Sequence, residues 1–110
     1  MTVQPGDIVL IPFPFSDLST TKKRPVLAIT MLDSRGDFTA LAITSRFTEE
    51  YACEIAQDDL LEGDLPKKSW VRVKKVYTLN SGLAVYRFGK LKSGSYQVVK
   101  GEFCQAFSCC

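Results

Sequence analysis

The sequence predicts a mainly β protein, a small and strongly curved antiparallel β barrel with one C-terminal helix. Two patterns predict this fold. Short apolar, β-branched segments recur between turn residues along most of the chain, and only the final segment has the spacing of an amphipathic helix. The chain has 110 residues, so we expect a single domain that spans residues 1–110.

The first half of the chain predicts three strands. Residues 8–13 are apolar and β-branched and end at prolines, whereas residues 14–23 have no periodicity and predict a long loop. Residues 25–31 predict the second strand and residues 38–43 the third, with a glycine-containing turn at residues 33–37 between them. Strands two and three are therefore expected to form an antiparallel hairpin.

The middle of the chain predicts shorter strands around one longer one. Residues 53–56 fit a short strand, residues 58–64 an irregular segment and residues 84–88 another short strand. Residues 69–76 alternate valines with basic residues, which is typical of a half-buried strand with a basic outer face. Residues 78–82 predict a turn or a single helical turn.

The last segment predicts a helix from residue 93 to about residue 107. Its apolar residues have amphipathic spacing, and we expect Ser93 or Ser95 to cap its first turn. Gly101 lies within this segment and lowers its helical propensity.

The composition excludes several classes of site. The chain contains no histidine, which excludes catalytic triads and dyads that depend on imidazole and zinc sites that need imidazole ligands. The four cysteines, at 53, 104, 109 and 110, lack the paired spacing of a zinc ribbon, so a reduced cytoplasmic protein is the simplest interpretation. No apolar segment has the length of a membrane span and no signal peptide is evident, so we expect no membrane contact.

Charge is unevenly distributed along the chain. Seven acidic and no basic residues lie between Glu49 and Asp64, and nine basic and no acidic residues lie between Lys67 and Lys100. The net charge of +2 therefore allows one strongly basic face. The alternative is that both segments are ordinary solvated strands and loops.

Two short polar segments carry cationic or hydroxyl side chains at the ends of predicted strands. Arg24 follows Lys22 and Lys23 at the end of the predicted loop, and Pro25 favours an extended backbone at Arg24. The second segment, Thr44–Ser45–Arg46, follows the predicted third strand. If strands two and three form a hairpin, the two segments meet at one rim, where guanidinium and hydroxyl groups could bind a phosphate. The alternative is a basic loop end beside polar residues that leave a strand.

These residues also belong to a resemblance that covers residues 5 to 92. The chain resembles the PemK/MazF family of toxins of type II toxin–antitoxin systems, in particular the branch with a Pro-Phe-Pro-Phe element after the first strand. The matching segments occur in the family's order: Gly6–Leu18, Lys23–Leu27, Ala42–Ser45, Leu65–Val73 and Gly89–Leu91.

The resemblance implies an SH3-like barrel that forms a homodimer and cleaves single-stranded RNA, chiefly mRNA, at short sequences without a metal or another cofactor. It implies that Arg24 corresponds to the family's catalytic arginine and Thr44, with Ser45 beside it, to the hydroxyl at the end of the third strand. The partners it implies are a cognate antitoxin and, through that antitoxin only, DNA. Relatives often have glutamine where this chain has Arg46, which bears on cleavage specificity.

The expected mechanism uses the 2′-hydroxyl of the RNA as nucleophile, with Arg24 stabilising the phosphate and Thr44 either hydrogen-bonding the phosphate or positioning the 2′-hydroxyl. Arginine is a poor general base, so the proton acceptor is unassigned. The residues expected to follow the RNA backbone are Lys22, Lys23, Arg46, Arg72 and Lys74. Trp70 and Tyr77 either stack on bases or belong to the core or an interface. Two alternatives are a non-enzymatic toxin that poisons a protein such as a topoisomerase, and an inactive interaction module.

Overall fold

One antiparallel sheet of seven strands and a C-terminal helix account for most of the described chain. The computed structural model describes residues 2–14, 21–47 and 50–108. The strands are β1 (Asp7–Pro14), β2 (Thr21–Ala28), β3 (Asp37–Thr44), β4 (Ala52–Ile55), β5 (Leu60–Gly63), β6 (Ser69–Asn80) and β7 (Tyr86–Leu91), and the helix α1 is Ser93–Phe107. Two 3₁₀ turns, Gln57–Asp59 and Ser81–Leu83, precede β5 and β7.

The strands are ordered β4-β6-β3-β2-β1-β7-β5, and each neighbouring pair is antiparallel. The sheet curls into a half-barrel with α1 packed against β6 and β4. The predicted fold class, a mainly β curved barrel with a C-terminal helix, is confirmed.

The core lies on both faces of the central strands. Adjacent residues of β2 face opposite sides: Leu27 joins one cluster and Val26 the other. This is why the strand segments contain consecutive apolar residues and not a strict alternation. The first cluster, inside the half-barrel, contains Ile8, Leu27, Leu41, Ile43, Ile55, Leu60, Val71, Val73, Leu91 and Val99. The second contains Val3, Val9, Ile11, Val26, Ala28, Phe38, Ala40 and Leu79.

Several predicted boundaries were wrong for a common physical reason. Pairing between β1 and β2 continues to Pro14 opposite Thr21, so residues 21–23 belong to a strand and not to the predicted loop, and residues 15–20 of that loop lie outside the described part. The same strand ends at Ala28, earlier than predicted. Backbone pairing with a neighbour extends or ends these strands, and the local sequence does not encode that neighbour.

The strand β5 was predicted as an irregular segment. Leu60 is buried in the core, and β5 pairs with β7, so a strand forms despite its polar residues. The two strands approach closely at their glycines, where a Cβ on Gly63 would collide with the Phe88 carbonyl oxygen and one on Gly89 with the Glu62 carbonyl oxygen. Glycine is therefore required at this crossing.

The strands on either side of the second 3₁₀ turn also differ from their predicted bounds. β6 continues to Asn80, beyond the predicted end at residue 76, because its second half pairs with β3 from Asp37 opposite Asn80 onward. The predicted turn at residues 78–82 is realised as the 3₁₀ turn that begins at Ser81. β7 lies at Tyr86–Leu91, slightly later than predicted.

The helix α1 has the predicted bounds but not the predicted cap. Its N-cap is Lys92, without a side-chain cap hydrogen bond, so neither Ser93 nor Ser95 caps it. The Ser95 hydroxyl instead donates to Asp59 Oδ1 at 2.8 Å, which joins the helix to the 3₁₀ turn before β5. Val99 is the buried residue of the helix and anchors it in the core.

Candidate functional site

The polar segments at the start of β2 and the end of β3 lie together, as the sequence predicted. The two strands pair antiparallel, with Val26 opposite Ala42, so the start of one strand lies beside the end of the other. Arg24 lies within β2, opposite Ile11 of β1, with the extended backbone expected before a proline. Pairing between strands on both sides of β2 thus sets the position of the arginine.

A groove of about 500 Å³ lies at this rim, and seven of the eight predicted site residues line it. Its lining comprises Lys22, Lys23, Arg24, Pro25, Ile43, Thr44, Ser45, Arg46, Ser69 and Arg72. Five of these residues are cationic and none is acidic. The groove is therefore a concave surface with a high density of positive charge, and such a surface attracts polyanions.

The hydroxyl of Thr44 is oriented by the backbone of Arg46. Thr44 Oγ1 accepts a hydrogen bond from the Arg46 backbone nitrogen at 3.1 Å. A hydroxyl that accepts from the backbone keeps its hydrogen for another partner. Thr44 can therefore donate that hydrogen to a phosphate oxygen in the groove, while Ser45 contributes a second hydroxyl to the same lining.

The strand β6 contributes Arg72 to the groove but not Lys74. Arg72 lies opposite Ala42 of β3, and the next pair is Leu41 with Val76, so β6 bulges between these positions. In the bulge, the Lys74 ammonium lies 3.8 Å from the ring centroid of Tyr51, a cation–π contact. The predicted RNA-binding residue Lys74 is therefore separated from the other seven.

The basic segment from Lys67 to Lys100 does not form one continuous face. Arg87 pairs with Asp7 at 2.9 Å and with Glu62 at 2.7 Å, and these hydrogen bonds raise the pKa of its guanidinium. Lys68 lies 3.9 Å from Glu54. Part of the positive charge of this segment is thus balanced by acidic residues from elsewhere in the chain.

The two aromatic residues proposed for base stacking have different surroundings. Trp70 lies opposite Thr44 on the neighbouring strand, and its ring meets the exposed ring of Phe47 edge to face, with 5.6 Å between centroids. Tyr77 packs instead on Phe13, with centroids 5.2 Å apart. Trp70 and Phe47 thus form an aromatic pair close to the groove, whereas Tyr77 packs against a residue of β1.

Sequence reasoning missed Ser69 as a groove residue. Ser69 begins β6 and is only 6 % exposed, and its hydroxyl donates to the Lys67 carbonyl oxygen at 2.9 Å. A lone serine at the start of an alternating strand carries no functional signal, and its place in the lining depends on the pairing of β6 with β3. That pairing is a tertiary feature.

The cysteines have no paired or ligating arrangement in the described part of the chain. Cys53 and Cys104 are free thiols, and Cys109 and Cys110 lie outside the described residues. Burial, and then the nearby charge of Glu102, raise the pKa of Cys53 to about 11. The thiol therefore stays protonated and unreactive near neutral pH.

Two further observations concern metals and membranes. Within residues 2–14, 21–47 and 50–108, no group of three or more acidic, cysteine or histidine residues is arranged to hold a metal ion. The one α-helix of this part of the chain, α1, is too short and too polar to span a membrane.

Comparison with known structures shows that the fold is similar to several solved structures. A MazE–MazF complex from Deinococcus radiodurans is similar with a TM-score of 0.79 at 15 % identity, over 98 % of each chain. An endoribonuclease in complex with its cognate antitoxin, from a mycobacterial species, has a TM-score of 0.71 at 16 % identity, over 96 % of this chain and 95 % of that one. The Mycobacterium tuberculosis toxin MazF-mt6 has a TM-score of 0.66 at 18 % identity, over 91 % and 96 %.

Sequence comparison agrees with this likeness. No curated protein is a significant sequence match to the chain. The family model for the PemK-like, MazF-like toxin of type II toxin–antitoxin systems matches residues 4–107, which is nearly the whole chain. The chain therefore belongs to the PemK-like, MazF-like family of type II toxin–antitoxin toxins.

Proposed function

We propose that this toxin is a metal-independent endoribonuclease that cleaves single-stranded RNA, chiefly mRNA, at short sequences. One observation carries the proposal. Arg24, Thr44 and Ser45 line the same groove, together with four further cations and no acidic residue. Such a groove suits a phosphodiester backbone, because cations hold its charge and hydroxyl groups position its oxygens.

The chemistry needs little from the protein beyond orientation and charge. The 2′-oxygen attacks the neighbouring phosphorus, the bond from phosphorus to the 5′-oxygen breaks, and the products are a 2′,3′-cyclic phosphate and a 5′-hydroxyl. A guanidinium stays protonated in proteins, so Arg24 stabilises the charge that develops on the non-bridging oxygens and does not remove the proton. Thr44 donates its free hydroxyl hydrogen to the same phosphate.

The direct experiment is cleavage of a defined RNA by the purified protein in EDTA. Cleavage should proceed in EDTA and should stop at any site whose 5′ nucleotide carries a 2′-deoxy sugar, since the nucleophile is then missing. Arg24→Ala should lower the rate about 10²–10³-fold. Lys100→Ala is the matched control, because it removes one exposed positive charge from α1, outside the groove.

The alternative function predicts a different result from the same protein. If the wild-type protein cuts no RNA in a mixed pool yet still arrests growth, the ribonuclease proposal is wrong. A non-enzymatic toxin that binds a protein target, such as a topoisomerase, is then the better account. Loss of cleavage in Lys100→Ala equal to that in Arg24→Ala would also contradict the role given to Arg24.

The same groove and the family membership support a proposal about the partners. We propose a cognate antitoxin whose acidic, partly disordered segment occupies the cationic groove and competes with RNA. The similar folds described as complexes with an antitoxin support this proposal. We also propose that the toxin is a homodimer, acts in the cytoplasm where mRNA is found, and meets DNA only through its antitoxin. Light scattering gives the oligomeric state, and RNA cleavage titrated with the antitoxin tests the competition.

A further inference from the structure

A small apolar slot opens from the side of the basic groove. It has a volume of about 140 Å³, and its walls are the apolar side chains of Pro25, Leu65, Pro66 and Phe88. Three of its lining residues, Pro25, Ser45 and Ser69, also line the groove, so the two spaces share an edge. Whatever binds in the slot is thus next to a group held by Arg24 and Thr44.

The size and the walls of the slot suit one flat ring. Pockets for drug-sized ligands measure about 300–1,000 Å³, so a slot of about 140 Å³ holds a single base but not its sugar and phosphate. Aromatic and apolar side chains bind unstacked bases through their π faces. The ring of Phe88 is itself supported by Tyr86, edge to face at 5.0 Å between centroids.

The polar group at the shared edge presents an acceptor. Ser69 is buried, and its hydroxyl hydrogen is used in the bond to the Lys67 carbonyl oxygen. What Ser69 offers a ligand is therefore an oxygen that accepts a hydrogen bond. Cytosine and adenine carry an exocyclic amino group that donates, whereas uracil has a carbonyl oxygen at the corresponding position.

We propose that this slot binds the base of a nucleotide next to the scissile phosphate and prefers cytosine or adenine to uracil through Ser69. The inference rests on the proposed ribonuclease function and gives it a source of sequence selectivity. RNA is favoured over a peptide as occupant because the slot adjoins the five groove cations, and in RNA every base is one sugar away from a phosphate.

The experiment is a map of cut sites on one long, defined RNA, made with the wild-type protein and three variants. Ser69→Ala removes the acceptor, Pro66→Ala opens an exposed wall of the slot, and Val98→Ala is the control, an exposed apolar residue on α1. Thermal unfolding of each variant shows that it is folded.

The wild-type protein and Val98→Ala should show the same preference for cytosine or adenine over uracil at one fixed position within two nucleotides of the cut. Ser69→Ala should reduce that preference about five- to tenfold, the value of one hydrogen bond, while the other positions of the profile are unchanged. Pro66→Ala should weaken selection at the same position.

The possible failures are distinct. If the wild-type protein cuts no RNA, the ribonuclease function fails and the slot inference falls with it. If the wild-type protein cuts RNA but shows no such position, or if Ser69→Ala and Pro66→Ala leave the profile as it was, the slot inference is wrong and the ribonuclease function survives. If Ser69→Ala and Pro66→Ala change antitoxin binding but not the cut-site profile, the slot binds a peptide, and the proposal that it binds a base is wrong.

Discussion

Asp7 and Glu62 both bind the guanidinium of Arg87, and replacing each in turn by its amide tests what burial contributes to an ion pair. The Asp7 side chain is 3 % exposed and lies 2.9 Å from Arg87, whereas the Glu62 side chain is 58 % exposed and lies 2.7 Å from it. Together they join β1, β5 and β7. Asp7→Asn and Glu62→Gln each remove one negative charge with almost no change in shape.

The expected losses differ because both oxygens of Asp7 are used as acceptors. Oδ1 accepts from Arg87 and Oδ2 accepts from the Gln4 backbone nitrogen at 2.9 Å. An asparagine has one acceptor oxygen and one amide NH₂ group. In Asp7→Asn the NH₂ group therefore faces either the Arg87 guanidinium or the Gln4 backbone N–H, and two donors then face each other without an acceptor. Losing a charged hydrogen bond and leaving a buried donor unpaired costs about 2–3 kcal/mol. The exposed pair of Glu62 contributes about 0.5 kcal/mol.

Thermal unfolding at one fixed protein concentration separates the two variants, since an oligomer would otherwise make the midpoint depend on concentration. For a domain of this length, 1 kcal/mol shifts Tm by about 4 °C, so Asp7→Asn should lower Tm by about 10 °C and Glu62→Gln by about 2 °C. Added salt should abolish the effect of Glu62→Gln and leave that of Asp7→Asn. Equal shifts for the two variants would refute the argument from burial.

Three other measurements test the packing, the buried thiol and the groove. Gly63→Ala should cost more than about 1 kcal/mol because its Cβ meets the backbone of β7, whereas Gly101→Ala, in open space on α1, should stabilise by up to about 1 kcal/mol in the same unfolding assay. The pKa of Cys53 is raised from 9.0 to about 11 in the folded protein, so the unfolded chain loses the thiol proton at lower pH than the folded one. The free energy of unfolding of the wild-type protein should therefore fall between pH 9 and pH 11 more than that of Cys53→Ala. Arg72→Ala should reduce the slope of log binding constant against log salt for single-stranded RNA by about 0.7, and Lys74→Ala by less.

The elements that sequence patterns predicted best are those that bury the most apolar surface. The strands around Ile8 and Ile43 and the helix around Val99 follow from consecutive or periodic apolar residues. The strand β5 could not be predicted, because most of its residues are exposed and it forms through pairing with β7. Pairing between segments distant in sequence leaves no mark in local composition.

One assumption about topology, the antiparallel pairing of β2 and β3, was enough to predict the candidate site. If β2 and β3 pair antiparallel, Arg24 and Thr44 must approach, and both do line the groove. The position of Lys74 could not be predicted, because strict alternation puts it on the same face as Arg72. Lys74 keeps that alternation, since Val71 and Val73 are both buried, but it lies in the bulge of β6, where its ammonium contacts the ring of Tyr51 outside the groove. A bulge depends on two strands at once, so a one-strand pattern does not reveal it.

The groove residues are positioned by the core that adjoins them. Thr44 follows the buried Ile43, and Arg72 follows the buried Val71 on the neighbouring strand. Arg24 lies in a strand that pairs with β1 on one side and β3 on the other. Electrostatic stabilisation requires charges and donors that are already in place when the reaction occurs, since any reorganisation adds to the barrier. In the proposed cleavage, a chain without histidine would meet this requirement with groups such as Thr44 and Arg72, each held beside a buried core residue.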